Sequence, residues 1–375
     1  MLSLLLIPLL LVPLATHTLW QGLCSPLRKI PGPWYAKFTS LVLKWHEFKA
    51  NRTRYIHDLH LKFGPSVRIA PDEVAFASAA AVKEIYCSGG SGYDKTEFYD
   101  LFKVYNRRTM FTTLNKDDRK RILADRYANT NVVRSQSLDG IAERAANFVK
   151  KCFQSVGGNL DLYICVPPPS YLHSYAFDCI THHLFHPHGA NSLELPRDEE
   201  IMREVTFDDS LQTAECLDHM AAGIDTTGDA LCFLMWELSQ PRSLPYQRKL
   251  QQELLSHSNS NNPTAVGFDK FPYLDAVVTE GLRCFPAIPM SLPRRVPEGG
   301  RVVDGWFVPG SDGNDSLALA EMKMLLQAVY SRFTTLPDAT MRPEDMEMSD
   351  QLISSRPAGQ RCLLRFVPLE VGDGV

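Results

Sequence analysis

An acid and an alcohol stand side by side within a long helical pattern, although neither favours helix formation. Asp225 and Thr226 follow Ala222 and Gly223, and Gly, Asp and Thr all have low helix propensity. Thr226 can return its hydroxyl to the Ala222 carbonyl and open the backbone ladder. Gly223 leaves room for a small molecule, and Asp225 can supply protons. The segment predicts an oxygen pocket, with a back-bonded core threonine beside an ion-paired Asp225 as the alternative.

A second candidate pair, Glu280 and Arg283, lies in a helical pattern from Tyr273 to Phe285. Residues three apart share a helix face, so these two side chains can form an ion pair. Most pairs of this kind are solvated surface charges, so the pair alone is a weak signal. A proline-rich segment with the adjacent cations Arg294 and Arg295 follows it.

The element that must position the acid and the alcohol is the longest helical pattern in the chain, from Asp209 to Ser239. Its apolar residues recur at spacings of three and four, which predicts a largely buried helix. Further helices are predicted over 45–63, 79–86, 116–127, 137–153 and 171–185. Period-two patterns and turn residues predict strands over 67–71 and 74–76 and a hairpin over 302–310.

The composition describes a globular protein with no electrostatic affinity for nucleic acid. The 375 residues are 45% hydrophobic and 22% charged, which suits one large or two modest domains. A net charge of −4 gives no case for nucleic-acid binding. The nine cysteines include no CxxC pair, which favours reduced thiols in a cytosol-facing protein.

The N-terminus predicts a membrane anchor over residues 1–24. Nearly every residue from Met1 to Leu14 is Leu, Ile, Val or Pro, which approaches the length of a spanning helix. The basic pair Arg28 and Lys29 follows it, so the body is expected on the cytosolic side. A removed signal or a peripheral segment is the alternative. Residues 25–36 read as a proline-rich hinge.

In their order along the chain, these features resemble the cytochrome P-450 family of haem-thiolate monooxygenases, particularly its fungal microsomal members. The resemblance covers the anchor, Pro31-Gly32-Pro33, the strand after Gly64-Pro65, segments 222–227 and 280–297, the helix at 317–322 and the ending 355–362. It implies a mainly α fold with a small β region, behind the anchor. Residues 37–375 would form this domain, incomplete because it lacks the haem-ligand loop and part of the substrate roof.

The resemblance also implies roles for particular residues. Asp225 and Thr226 would deliver protons for dioxygen activation, and Glu280 and Arg283 would form a buried pair. Arg294 would reach a haem propionate, with Arg295 as its rival. The cofactor would be haem, and electrons would come from an NADPH-dependent flavoprotein reductase. The substrate would be an apolar small molecule, and the location the endoplasmic reticulum membrane.

One departure from the family concerns the iron ligand. Aligning the helix beyond the haem loop on Ala318 and Glu321 puts Asp312 where the family has its cysteine. A carboxylate is a harder and weaker donor than a thiolate. Of the possible substitutes, Cys362 is predicted to be a strand residue and Cys284 a packing residue rather than a ligand. Two hypotheses therefore stay open: a monooxygenase of secondary metabolism, or a shortened, catalytically inactive relic or membrane-anchored partner.

A cluster of histidines after the aromatic-rich helix gives a weak metal signal. His182 and His186 have helical i,i+4 spacing, but Pro187 interrupts the pattern and no carboxylate is suitably placed. We therefore predict no metal site in this histidine cluster.

Overall fold

The computed structural model describes residues 16, 18–20, 22–87, 93–115, 118, 137–163, 170–185, 189–195, 197–198, 213–256, 270–309, 319–351 and 354–369. These residues form a mainly helical fold with several small sheets, as predicted. The predicted helix over 116–127 lies almost entirely outside them.

Helices account for most of the secondary structure in the described part of the chain. The α-helices are α1 (Leu41–Phe48), α2 (Arg52–Phe63), α3 (Ala79–Val82), α4 (Ser137–Gln154), α5 (Tyr171–Phe185), α6 (Thr213–Ser239), α7 (Leu244–Ser256), α8 (Pro272–Cys284) and α9 (Leu319–Tyr330). A π-helix, Lys83–Cys87, continues α3, and 3₁₀ helices occupy Pro26–Lys29, Trp34–Lys37, Glu97–Phe102 and Pro343–Met346.

The strands are short and pair antiparallel. They are β1 (Ser66–Ala70), β2 (Glu73–Phe76), β3 (Asp94–Lys95), β4 (Leu160–Asp161), β5 (Arg294–Arg295), β6 (Arg301–Val303), β7 (Trp306–Val308), β8 (Phe333–Pro337), β9 (Met348–Gln351), β10 (Ser354–Pro357) and β11 (Leu363–Pro368). The pairs are β1–β2, β3–β5, β6–β7 and β9–β10, and β11 lies between β4 and β8.

The long helix α6 confirms the prediction from Thr213 to Ser239, while residues 209–212 lie outside the described part. The second half is buried as expected: every residue from Thr227 to Trp236 is buried. Between residues 217 and 226, every residue except the buried Met220 is half-buried or exposed at the surface. The helix therefore joins the main core at one end and carries the candidate site where it leaves that core.

The main core lies between α6 and the helices packed around it, with β8 and β11 closing one side. Its apolar members include Phe233, Leu274 and Leu326, all nearly or fully inaccessible. Burying side chains of this size stabilises each by roughly 1.5–3 kcal/mol relative to exposure. Because α5 packs along α6, the core fixes both helices that meet at the candidate site.

Residues 45–63 do not form the single predicted helix. The chain breaks at Lys49–Asn51, where Ala50 adopts a positive φ of 50° that an α-helix excludes. Asn51 directly precedes α2, and its side-chain oxygen lies 2.9 Å from His46 Nδ1 on α1. The apolar periodicity continues across this corner, which is why it concealed the break.

The hairpin formed by β6 and β7 confirms its prediction. Asp304 and Gly305 both have positive φ at its turn, as a tight two-residue hairpin requires. Ser78 Oγ donates to Asp304 Oδ1 at 2.6 Å and ties the hairpin to the start of α3.

The start of the described chain packs against the body. Leu27 and Ile30, within the predicted hinge, are buried with Val308. Most of the predicted anchor over 1–24 lies outside the described residues. Among the helices of the described part, none is long and apolar enough to cross a membrane.

Candidate active site

The back-bond expected of Thr226 is present on α6. Its Oγ1 donates to the Ala222 carbonyl oxygen at 2.5 Å. A threonine that bonds one turn back competes with the backbone ladder and tends to bend the helix. Ala222 is exposed and Thr226 is half-buried. The hydroxyl is therefore held on the backbone beside an accessible stretch of helix.

Asp225 is paired with a cation that the sequence did not reveal. Arg356, on β10, places Nη2 3.0 Å from Asp225 Oδ2. Both side chains are partly exposed, so the pair contributes at most about 1 kcal/mol to stability. Its effect is positional, because Arg356 fixes the carboxyl next to Thr226. A back-bonded threonine and an ion-paired Asp225 are also the geometry of the structural alternative.

A buried acid one turn further along α6 was missed altogether. Asp229 is fully inaccessible, and its Oδ1 lies 3.3 Å from Nε2 of His173 on α5. Burial raises the pKa of the Asp229 carboxyl, while the nearby His173 lowers it. An acidic residue inside an apolar helical stretch, four residues after Asp225, was the signal available in the sequence.

Gly223 sits at the interface between two helices. A Cβ on Gly223 would lie 3.0 Å from Cγ1 of Ile180, on α5. Its small size therefore allows α5 to approach α6 closely. The role of Ala222 and Gly223 in an oxygen pocket stays a prediction.

Glu280 and Arg283 form the expected pair on α8, but the prediction that it is buried is wrong. Arg283 donates from Nε and Nη2 to the two carboxylate oxygens, both at 2.7 Å. The Glu280 side chain is 61% exposed and that of Arg283 69%. The reason is the orientation of α8, which turns Gly281 toward Leu234 in the core and so directs the pair outward.

Arg294 is surrounded by aromatic rings. Its Nη1 donates to the Tyr99 hydroxyl, and its guanidinium lies 4.8 Å from the centroid of the Tyr86 ring. Its rival Arg295 points to the other face of β5 and pairs with the exposed Glu97. Of the two, Arg294 is the half-buried cation, so it is the better candidate for holding an anionic group.

The described thiols separate into buried and exposed groups. Cys362 is fully buried beside Cys232, and burial followed by the Cys362 contact raises the pKa of the Cys232 thiol. Cys284 is exposed at the end of α8, where Arg283 Nη2 lies 3.3 Å from its sulfur. Asp312 lies outside the described residues. Within the described part of the chain, no group of His, Cys, Asp or Glu has the arrangement of a metal site.

A long helix with an acid–alcohol pair, followed by a Glu–Arg pair and a proline-rich exit, is the arrangement that the sequence resemblance led us to expect. Comparison with known proteins agrees: the cytochrome P-450 family model matches residues 190–311. The matched segment includes α6, α8 and the β6–β7 hairpin, and ends one residue before Asp312. Over these residues the chain is similar to the cytochrome P-450 family.

Several fungal monooxygenases are similar to this chain at low identity. Cytochrome P-450 monooxygenase stcB of Emericella nidulans is 26% identical over 76% of this chain and 68% of its own length. The corresponding monooxygenase aflV of Aspergillus parasiticus is 26% identical over 76% and 70%. Tryprostatin B 6-hydroxylase of Aspergillus fumigatus is 24% identical over 82% and 66%.

Proposed function

We propose that this protein is a haem-dependent monooxygenase of fungal secondary metabolism that inserts one oxygen atom into an apolar small molecule. The observation that carries the proposal is the hydroxyl of Thr226 on the Ala222 carbonyl, with Asp225 beside it, on a helix within the matched family segment. The similarity to fungal monooxygenases favours this function over an inactive relic.

Residues on two elements, α6 and β5, would contact a flat, largely apolar cofactor. Ala222 is exposed next to the accessible face of α6, and Arg294 provides a half-buried cation for an acidic substituent. When bound, haem would supply the redox chemistry that activates dioxygen. On the opposite side the fit is incomplete, since no cysteine lies between Cys284 and Cys362.

The chain's own residues then have defined tasks. Thr226 holds a hydroxyl proton on the Ala222 carbonyl, where a hydrogen-bonded oxygen species can receive it. Asp225 returns a proton to that hydroxyl, and Arg356 keeps the carboxyl in reach.

The partners of the proposed reaction follow from its electron demand and from the N-terminal sequence. An NADPH-dependent flavoprotein reductase would supply the electrons. Residues 1–24 would anchor the protein in the endoplasmic reticulum membrane, with the body on the cytosolic side, because an apolar run precedes the basic pair Arg28 and Lys29.

A second candidate function is supported by Asp312 at the family's cysteine position. In this alternative, the chain is a shortened, non-catalytic member that acts as a membrane-anchored partner. A carboxylate cannot donate electron density to iron as a thiolate does, so oxygen activation would be lost.

The test is turnover by purified full-length protein with reductase, NADPH and isotopically labelled dioxygen, using a panel of apolar aromatic compounds. We expect label in a hydroxylated product. Thr226→Ala should retain NADPH consumption but release peroxide instead of product, whereas Thr227→Ala, a buried neighbour, is the control. Folded protein that gives no labelled product with any compound, and no haem absorbance, would favour the non-catalytic alternative.

A further inference from the structure

A fully buried carboxyl group lies one helical turn beyond the proposed acid. Asp229 follows Asp225 by four residues on α6, so their side chains share one face of the helix. Taking a carboxylate out of water costs several kcal/mol unless a partner compensates. An apolar side chain of the same size would avoid that cost. The presence of an acid at this position is therefore better explained by a chemical role than by stability.

The partner of Asp229 is His173, and the contact between them is not a well-formed hydrogen bond. Nε2 of His173 lies 3.3 Å from Asp229 Oδ1. Within the described part of the chain, neither Asp229 oxygen nor His173 Nδ1 has a hydrogen-bond partner of good geometry. The histidine ring is held between Tyr163, at 5.3 Å between centroids, and the backbone of Gly228. A proton shared between Asp229 and His173 satisfies groups that are otherwise unpaired.

The charged groups around Asp229 come from three elements. Burial is the largest influence and raises the pKa of its carboxyl. His173 on α5 and Arg356 on β10 lower that pKa, whereas Asp225 on α6 raises it. Asp229 is therefore coupled both to the histidine behind it and to the Asp225–Arg356 pair in front of it.

We propose that His173 and Asp229 form a buried proton-holding pair that feeds the Asp225–Thr226 site. This inference rests on the proposed function. A proton passes from Nε2 of protonated His173 to Asp229, and from the Asp229 carboxyl through one water to the Asp225 carboxylate. Since Nδ1 of His173 is buried and 13% of the side chain is accessible, His173 regains its proton at Nε2. One proton is carried and no electron moves.

The pair can be tested without haem. An infrared pH titration of the full-length protein, subtracted from that of Asp229→Asn, isolates the carboxyl band of Asp229 and its midpoint. We expect His173→Gln to raise this midpoint by about one pH unit, because a cationic partner is lost. Asp225→Asn should lower it by a similar amount, because a neighbouring negative charge is lost.

The matched control is Asp218→Asn, an acid on the same helix. It lies eleven residues before Asp229, about 16 Å along the axis at 1.5 Å per residue, and should leave the midpoint in place. If the Asp229 midpoint is unchanged in both His173→Gln and Asp225→Asn, the proposal is wrong. A midpoint equal to that of an ordinary exposed aspartate also overturns it.

Haem-loaded protein provides the second readout. Asp229→Asn and His173→Gln should lower the product formed per NADPH at least about tenfold, with unchanged haem content. Variants that couple NADPH to product as well as the wild type would refute the feeding role. Protein that binds no haem would contradict only the proposed function, because the two opposed midpoint shifts are measured in its absence.

Discussion

Replacing Gly228 by alanine tests the close packing of α5 on α6 at the site. Alanine is worth about 1 kcal/mol more than glycine inside a helix, so propensity alone predicts stabilisation. The added Cβ, however, would lie 2.9 Å from Cδ2 of His173. That ring is held by Tyr163 and Asp229 and cannot turn away freely. Overpacking of this kind costs about 1–3 kcal/mol, so Gly228→Ala should lose about 1 kcal/mol net.

Gly223→Ala on the same helix is the matched control. Its Cβ would meet Ile180 Cγ1 at 3.0 Å, but Ile180 is a half-buried aliphatic chain that can shift slightly. For Gly223→Ala, the stabilisation from higher helix propensity should therefore roughly cancel the destabilisation from tighter packing. In urea unfolding followed by circular dichroism, the free energy of unfolding of Gly228→Ala should be about 1 kcal/mol lower than that of Gly223→Ala. Equal stability, or a more stable Gly228→Ala, would show that His173 is not fixed as described.

Three further predictions concern the core, one buried acid and the anchor. Phe233→Ala should lower the free energy of unfolding in urea by about 3–5 kcal/mol, because its ring is buried and stacked on Phe285. Phe233→Leu should lower it clearly less, and equal losses would refute the stacking argument. Burial raises the pKa of Asp178 to about 6, above its unfolded value, so stability should fall on the order of 3 kcal/mol from pH 4 to above 6. Asp178→Asn should remove that fall, and an unchanged pH profile would contradict the assignment. Deleting residues 1–24 should move the protein from the carbonate-washed membrane pellet to the supernatant, and continued pelleting would contradict a single anchor.

Local sequence patterns were sufficient where local forces decide the structure. The aromatic-rich helix α5 begins and ends at the predicted residues, because its flanking segments cannot continue a helix. The hairpin turn at Asp304 and Gly305 was predictable because few residues accept positive φ. The Thr226 back-bond was also predictable, because its donor and acceptor lie one turn apart on the same helix.

Contacts between distant segments were not predictable in this way. Arg356 and Asp225 are 131 residues apart, and no period in the sequence connects them. The exposure of Glu280 and Arg283 depends on which face α8 turns to the core, and spacing alone does not determine that face. The proximity of His173 and Asp229 depends on the close approach that Gly228 permits.

The most direct test of the account is the reduced, carbon-monoxide-bound difference spectrum of the purified full-length protein. The account predicts haem incorporation with a thiolate-type Soret band. Cys284→Ser and Cys362→Ser identify the ligand: the band should be lost in the variant whose thiol reaches the iron and kept in the other. Folded protein that shows no such band, but gains it when a complete cysteine loop is inserted between Gly310 and Leu317, would contradict the account and identify the chain as a shortened, inactive member.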